Sequence, residues 1–419
     1  MPLRPAALAA GLSLVLALGP LALGPLAAPA AAGPVVVDGR DIVVDGRPFV
    51  VHGAAGWERL DELKTLGANA IRTYGDLGGP LLDAAQQAGL KVALGFWLEP
   101  PRRGFDYSDP KAVAGQMSRL EAFVQANRNH PALLLWGIGN EVEAEAADPD
   151  QVYSAIGKAA RRVKALDPDH PTMAVLAETG DDKVRRLMAL APDIDVLGVN
   201  SYGEAIPTVV ARARAQGWKG PVIVTELGPL GQWDAQKTPW GAAVEPDSGD
   251  KAARLQRYLR ALEKDGAGEF VFFWGQKQEV TPTWHGQLLE SGEWTETAEA
   301  MAAVWGGQTP GGDRAPRIAA FALEGGDTVP AGRPLRARLA VGDPDGDRMT
   351  VEWTVLAESR DLKTGGDAES RPRAFPAAVK GDATGATVSG LAPGAYRLFV
   401  TVRDGRGAAA TANRPFLIE

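Results

Sequence analysis

Trp136-Gly137-Ile138-Gly139-Asn140-Glu141 and, 85 residues further on, Val222-Ile223-Val224-Thr225-Glu226 are two apolar runs that each end on a carboxylate. An apolar run bounded by turn residues reads as a strand buried on both faces. A Glu at the C-terminal end of such a strand stands at the rim of a parallel sheet, where α/β folds hold their ligands. Two such Glu residues on one rim are candidates for paired acid, base or nucleophilic work.

The sequence around the two runs alternates strand and helix. Strands are expected over residues 48–53, 68–74, 91–97, 133–138, 172–177, 196–200, 222–226 and 270–274. Helices are expected over 57–66, 81–88, 110–127, 149–166, 183–190, 206–215, 250–264 and 295–305. Gly67 and Gly89 read as C-terminal caps, and Asp148 with Pro149 as a helix start. Eight such units in residues 48–305 predict a (β/α)8 TIM barrel, the fold class adopted here. The two Glu are three units apart, about 28 residues per unit, a usual barrel repeat. A doubly wound open sheet would show a Gly-rich phosphate loop after its first strand, and none is present.

Outside the barrel the pattern changes. Residues 33–47 carry the turn signals Asp38-Gly39 and Asp45-Gly46 and predict a short antiparallel hairpin at the bottom of the barrel. Gly306-Gly307-Gln308-Thr309-Pro310-Gly311-Gly312-Asp313 opens a linker, 306–314. Residues 315–419 alternate in short strands and predict a small all-β, immunoglobulin-like sandwich. Its Asp343-Pro344-Asp345-Gly346-Asp347 reads as a tight acidic turn rather than a calcium loop, because the local sequence shows no full ligand set. No metal and no cofactor is expected.

Residues 1–32 read as a secretory signal: Arg4, an apolar Leu/Ala stretch broken by Gly19-Pro20 and Gly24-Pro25, then Pro29-Ala30-Ala31-Ala32 for cleavage. The early breaks argue against a spanning helix, so stable membrane insertion is not expected and the chain is read as secreted or periplasmic. With no cysteine, a lipid anchor after the apolar run and disulfides are both excluded. A net charge of −8 argues against a nucleic-acid partner. A monomer is expected.

Chemistry narrows further by exclusion. There is no Gly-x-Ser-x-Gly elbow, no cysteine nucleophile and no His pair at metal spacing. His130 and His170 each precede a Pro at the start of a strand, away from the rim. What remains is the Glu pair, which suits the breaking of a glycosidic bond.

The neighbours of the pair carry a resemblance. Gly139-Asn140-Glu141, with Thr225-Glu226 closing a later strand, resembles glycoside hydrolase clan A. Residues 130–141 are similar in particular to the barrel domain of family 2 glycosidases. Leu197-Gly198-Val199-Asn200-Ser201-Tyr202-Gly203 is similar to strand six there and in β-1,3-glucan transglycosylases. The resemblance implies Glu141 as acid/base, Glu226 as nucleophile and a retaining mechanism. It further implies Asn140 on the sugar 2-hydroxyl, Tyr202 near the nucleophile, Arg72 at the end of strand two and Trp274 flooring the subsite. Family 2 enzymes carry sandwich domains before the barrel, where this sequence has a hairpin.

The loops add stacking and hydrogen-bonding candidates: Trp97, Glu99, Trp233, Trp240, Gln276, Lys277, Gln278, Trp284 and His285. The expectation is an exported retaining β-glycoside hydrolase or transglycosylase on a β-linked glucan or oligosaccharide. The rival is a non-catalytic carbohydrate-binding envelope protein on the same barrel.

Overall fold

The computed structural model describes residues 33–75, 77–180 and 182–419. Residues 1–32, expected to be a secretory signal, lie outside the described residues. Eight parallel strands close a barrel: β4 (His52–Ala55), β5 (Ala70–Arg72), β6 (Lys91–Phe96), β7 (Leu133–Ile138), β8 (Thr172–Ala177), β9 (Val196–Tyr202), β10 (Val222–Gly228) and β11 (Gly268–Val271). Each pairs with its sequence neighbour, and β11 closes onto β4. β7 and β10 are buried along their whole length, as strands covered by side chains within and helices without must be.

The helices between them are α1 (Leu60–Thr65), α2 (Gly79–Gln87), α3 (Pro110–Asn127), α4 (Pro149–Leu166), α5 (Lys183–Leu190), α6 (Val209–Ala215), α7 (Ser248–Asp265) and α8 (Glu296–Trp305). Asp148 caps α4 by accepting from the Asp150 amide at 3.1 Å, and Pro149 occupies the first turn. α1 is shorter than its periodicity predicts, because Arg59 turns left-handed (φ 45) ahead of it.

Among the described residues three strands, not two, precede the barrel: β1 (Val35–Asp38), β2 (Asp41–Val44) and β3 (Arg47–Pro48). Both Asp-Gly pairs turn the chain, so Pro48 ends this meander and the first barrel strand starts later than expected, at His52. Val35, Ile42 and Val44 pack against Leu134, Met173, Val196 and Phe270, closing the lower end of the barrel.

The C-terminal region holds β12 (Arg317–Glu324), β13 (Thr328–Val329), β14 (Leu335–Gly342), β15 (Thr350–Ala357), β16 (Val379–Gly381), β17 (Gly385–Val388), β18 (Gly394–Arg403) and β19 (Ala409–Ile418). They form two four-stranded sheets, β12-β14-β17-β16 and β13-β19-β18-β15, over a shared core that includes Leu335, Val355, Leu398 and Phe416.

The barrel and the sandwich, residues 33–419, belong to one compact unit. The Gly-rich segment between them is packed rather than free. A side-chain carbon on Gly307 would lie 2.1 Å from the Leu66 carbonyl carbon, and the Gln308 amide donates to Thr65 O at 2.8 Å. Above it, buried Arg397 of the sandwich donates to Ala243 O of the barrel at 2.8 Å and to Asn413 Oδ1 at 2.7 Å. Asn413 in turn donates to the buried Glu245 carboxylate at 2.6 Å. Such satisfied buried polar contacts fix orientation, because any slippage would strand a charge.

Candidate active site

β7 delivers Asn140 and Glu141 to the barrel mouth through a sharp turn. Gly139 has φ 72 and Glu141 itself has φ 49, a conformation that non-glycine residues rarely hold. The Glu141 amide is anchored to Val175 O at 3.1 Å. β10 reaches the mouth with a register shift between Val224 and Glu226 against β9. A bulge of this kind re-aims side chains, and here it falls on Thr225 and Glu226.

The two carboxylates line one cleft of about 1090 Å³ and are joined by a hydrogen-bonded chain. Tyr202 donates its hydroxyl to Glu226 Oε2 at 2.7 Å, and Arg72 donates to Oε1 at 3.1 Å. The other arm of Arg72 donates to Asn140 Oδ1 at 2.6 Å. Asn200 donates to Asn140 Oδ1 at 3.1 Å and to Glu141 Oε1 at 2.8 Å, and Thr225 Oγ1 donates to Asn200 Oδ1 at 2.8 Å. Burial pushes the Glu141 carboxyl up to about 7, and negative Glu226 adds to this while the Asn200 amide opposes it. Glu141 thus keeps a proton closer to neutral pH than an ordinary carboxyl does, while Arg72 and Tyr202 hold Glu226 in place. Burial and the same negative charge push the Tyr202 hydroxyl well above its ordinary range, so it stays a donor.

The expected residues divide on inspection. Asn140, Glu141, Tyr202, Glu226, Trp97, Trp233 and Gln276 line the cleft, as do Glu99, Trp240 and Lys277. Arg72 does not; it is 2 % exposed and holds Glu226 and Asn140 from below, so it positions rather than binds. Trp274 does not floor the site. β11 ends at Val271, so the residues facing the cleft are Phe272 and Phe273, and fully buried Trp274 donates behind them to Glu58 O at 2.7 Å. Trp284 is likewise removed: it packs among Ala235, Ala243 and Val280 and donates to Leu230 O at 2.9 Å. His285 is buried against Tyr202 and Phe272, with ring centroids 5.5 and 5.4 Å away, and burial pushes its imidazole down to about 4. It supports the wall and does not reach the cleft, and Gln278 does not line it either.

Other residues escaped the sequence reading. Asn200 bridges the two halves of the network; it stands in the strand-six motif, but no role followed for it from the sequence. Tyr74 lines the cleft, with the Arg72 guanidinium 4.3 Å from its ring centre. Least foreseeable, one wall comes from the sandwich: Glu358 to Arg360, Leu362 to Gly366 and Glu369 line the cleft, from the long connection between β15 and β16. That connection is pinned to the barrel. Lys277 Nζ donates to Gly366 O at 2.7 Å, the Val280 amide to Glu369 Oε2 at 2.7 Å, and Asp367 pairs with Arg103.

Comparison with known proteins agrees with this geometry. Residues 81–213 match the model for the TIM barrel domain of glycosyl hydrolases family 2. Mannan endo-1,4-beta-mannosidase F of Aspergillus clavatus is 30% identical over 74 residues, 18% of this chain and 16% of its own. Beta-glucuronidase of Chlorocebus aethiops is 28% identical over 145 residues, 33% of this chain and 20% of its own. The crystal structure of a Bacteroides uniformis beta-glucuronidase superposes with a TM-score of 0.52 at 14% identity, covering 92% of this chain and 48% of that one. The chain thus spans a fifth or less of these curated relatives and about half of the solved structure. The barrel has the fold of glycoside hydrolase clan A and is similar to the TIM-barrel domain of family 2 glycosidases.

Proposed function

We propose that the protein is an exported retaining β-glycoside hydrolase or transglycosylase that acts on a β-linked glucan or oligosaccharide. The observation that carries the reading is the pair itself: a buried Glu141 that keeps its proton opposite a Glu226 held by Arg72 and Tyr202. Such a pair assigns roles by environment. Glu141 protonates the leaving glycosidic oxygen. Glu226 attacks the anomeric carbon and forms a covalent glycosyl–enzyme. Glu141, now ionised, takes a proton from water or from a second sugar hydroxyl, which displaces Glu226 and restores the starting state. Hydrolysis and transfer share that intermediate.

Asn140 and Tyr202 supply donors and acceptors at the reacting ring, and Trp97 and Trp233 offer apolar faces to neighbouring rings. A cleft of about 1090 Å³ lies at the upper end of small-molecule sites and suits an oligosaccharide. The relatives named above act on β-mannan and β-glucuronides, so the assay panel includes both.

The test uses purified residues 33–419 with β-glucans, β-mannan and aryl β-glycosides including glucuronides, products being resolved by mass and anomeric configuration. Turnover with retained configuration, absent in Glu226→Gln, supports double displacement; longer products mark transfer. Binding of a polysaccharide equally by both proteins, with turnover by neither, makes the barrel a binding module instead.

A further inference from the structure

Away from the cleft, the structure gathers acidic side chains that are far apart in sequence. Asp313 lies where the chain enters the sandwich, Asp345 and Asp347 lie in the β14–β15 turn, and one carboxylate oxygen from each lies within 4.8 Å of the other two. Asp404, in the β18–β19 turn, faces Asp313.

A second feature points to a ligand. Asp313 and Asp404 are 5 % and 4 % exposed, and Oδ2 of each is buried with no hydrogen-bond partner. Asp404 spends Oδ1 on the Arg406 and Ala408 amides at 2.7 and 3.1 Å, which fixes its carboxylate and leaves Oδ2 unsatisfied. Buried carboxylate oxygens without donors are unfavourable, and two that face each other are more so. The neighbouring cations do not remove the deficit. Arg406 Nε stands 3.4 Å from Asp313 Oδ1 and 3.5 Å from Asp347 Oδ2, beyond good hydrogen bonds, on a side chain that is mostly exposed. Arg314 is committed to Asp345 at 2.7 Å. Asp343 Oδ1 accepts from the Asp345 and Asp347 amides at 2.9 and 3.0 Å, and its Oδ2 is also buried without a partner.

We propose that Asp313, Asp345, Asp347 and Asp404 form a calcium site that ties the segment leaving the barrel to two turns of the sandwich. All candidate ligands are carboxylate oxygens, with no His or Cys among them, which selects a hard cation. Ligands drawn from three separate segments give the irregular, oxygen-rich shell that Ca²⁺ accepts and that Mg²⁺, with its strict octahedron, does not. Arg406 swings outward as the ion enters. This revises the expectation of no metal, and it is independent of the proposed catalytic reaction.

The test is binding of Ca²⁺ itself to chelator-treated residues 33–419, by calorimetric titration and by thermal unfolding. The expected result is one Ca²⁺ per chain, with Tm rising by about 5 °C at a hundredfold excess over Kd and a smaller rise with Mg²⁺. Asp313→Asn and Asp404→Asn abolish the Ca²⁺ response. Without metal they leave Tm unchanged or raise it, because each relieves the repulsion. Exposed Asp345→Asn weakens binding about tenfold and serves as the variant least exposed to folding defects. The proposal is overturned by no heat and no Tm shift with Ca²⁺, by an undiminished Ca²⁺ response in the Asp313→Asn and Asp404→Asn variants, or by an equal response to Mg²⁺.

Discussion

At the scale of single residues, the site separates two carboxyl groups that are chemically alike. Glu141 has a raised carboxyl because it is buried and faces Glu226; Glu226 has Arg72 and Tyr202. On the proposed reading Glu141 must be protonated at the start of each turnover, so kcat/KM falls as pH rises through about 7. A pH–rate profile that stays flat to pH 9 would remove Glu141 from the acid role. Glu141→Gln lowers kcat by about 10²–10⁴-fold on substrates with poor leaving groups and less on activated aryl glycosides. Its effect on stability has a definite sign. A carboxyl whose folded-state pKa is raised contributes stability below the unfolded value of 4.5, and that contribution is lost as pH rises towards about 7. Glu141→Gln therefore has a higher Tm than the parent at pH 8 and a similar or lower one at pH 4. Tyr202→Phe removes one donor to a charged acceptor, which is worth about 1.5–3 kcal/mol. It lowers kcat about 10- to 100-fold with the fold intact by circular dichroism.

At the scale of elements, what matters is how strands end. β7 ends in a turn that holds Glu141 at φ 49, and β10 carries a bulge at Thr225 and Glu226. β11 ends three residues sooner than its apolar run suggests, which moves the cleft-facing role from Trp274 to Phe272 and Phe273. A pair of variants checks this. Phe272→Ala raises KM, by about tenfold for one lost stacking face, and, because the ring is buried against Tyr74, Tyr202 and His285, lowers Tm as well. Trp274→Phe, by contrast, leaves the donor-less Glu58 carbonyl and a cavity, so it lowers Tm and leaves KM near the parent's. The reverse pattern would restore Trp274 as the subsite floor.

At the scale of the molecule, the sandwich is joined to the barrel through Arg397, Asn413 and Glu245 and supplies one wall of the cleft. Residues 33–305 alone therefore lose both that wall and the Asn413 amide that donates to buried Glu245, and the fragment is expected to be inactive and less stable. A gentler test frees the wall without removing it. Asp367→Ala with Glu369→Ala breaks its links to Arg103 and to the Val280 amide. KM for oligosaccharides then rises about tenfold, while kcat on a small aryl glycoside changes less than twofold. Equal losses on both substrates would mean that the wall shapes the reacting centre itself.

Local pattern carried the barrel because burial on both faces writes itself into a sequence as unbroken apolar runs: β7 and β8 lie where those runs lie. The same runs exposed Glu141 and Glu226, each the first charged residue after an apolar run, and the neighbouring motifs implied their roles. Strand ends were less legible, since a bulge or a left-handed residue follows from pairing and packing rather than from composition. Contacts between distant segments left no local trace at all. Asn200 looked like one more strand residue, Trp284 like one more loop aromatic, and Asp313 like the end of a linker. The chain by itself determined a barrel with two carboxylates at its mouth, because periodicity and burial are local. Only the tertiary structure decided which side chains face the cleft, that the sandwich walls it, and that Asp313 meets Asp404, because those depend on segments brought together across the whole chain.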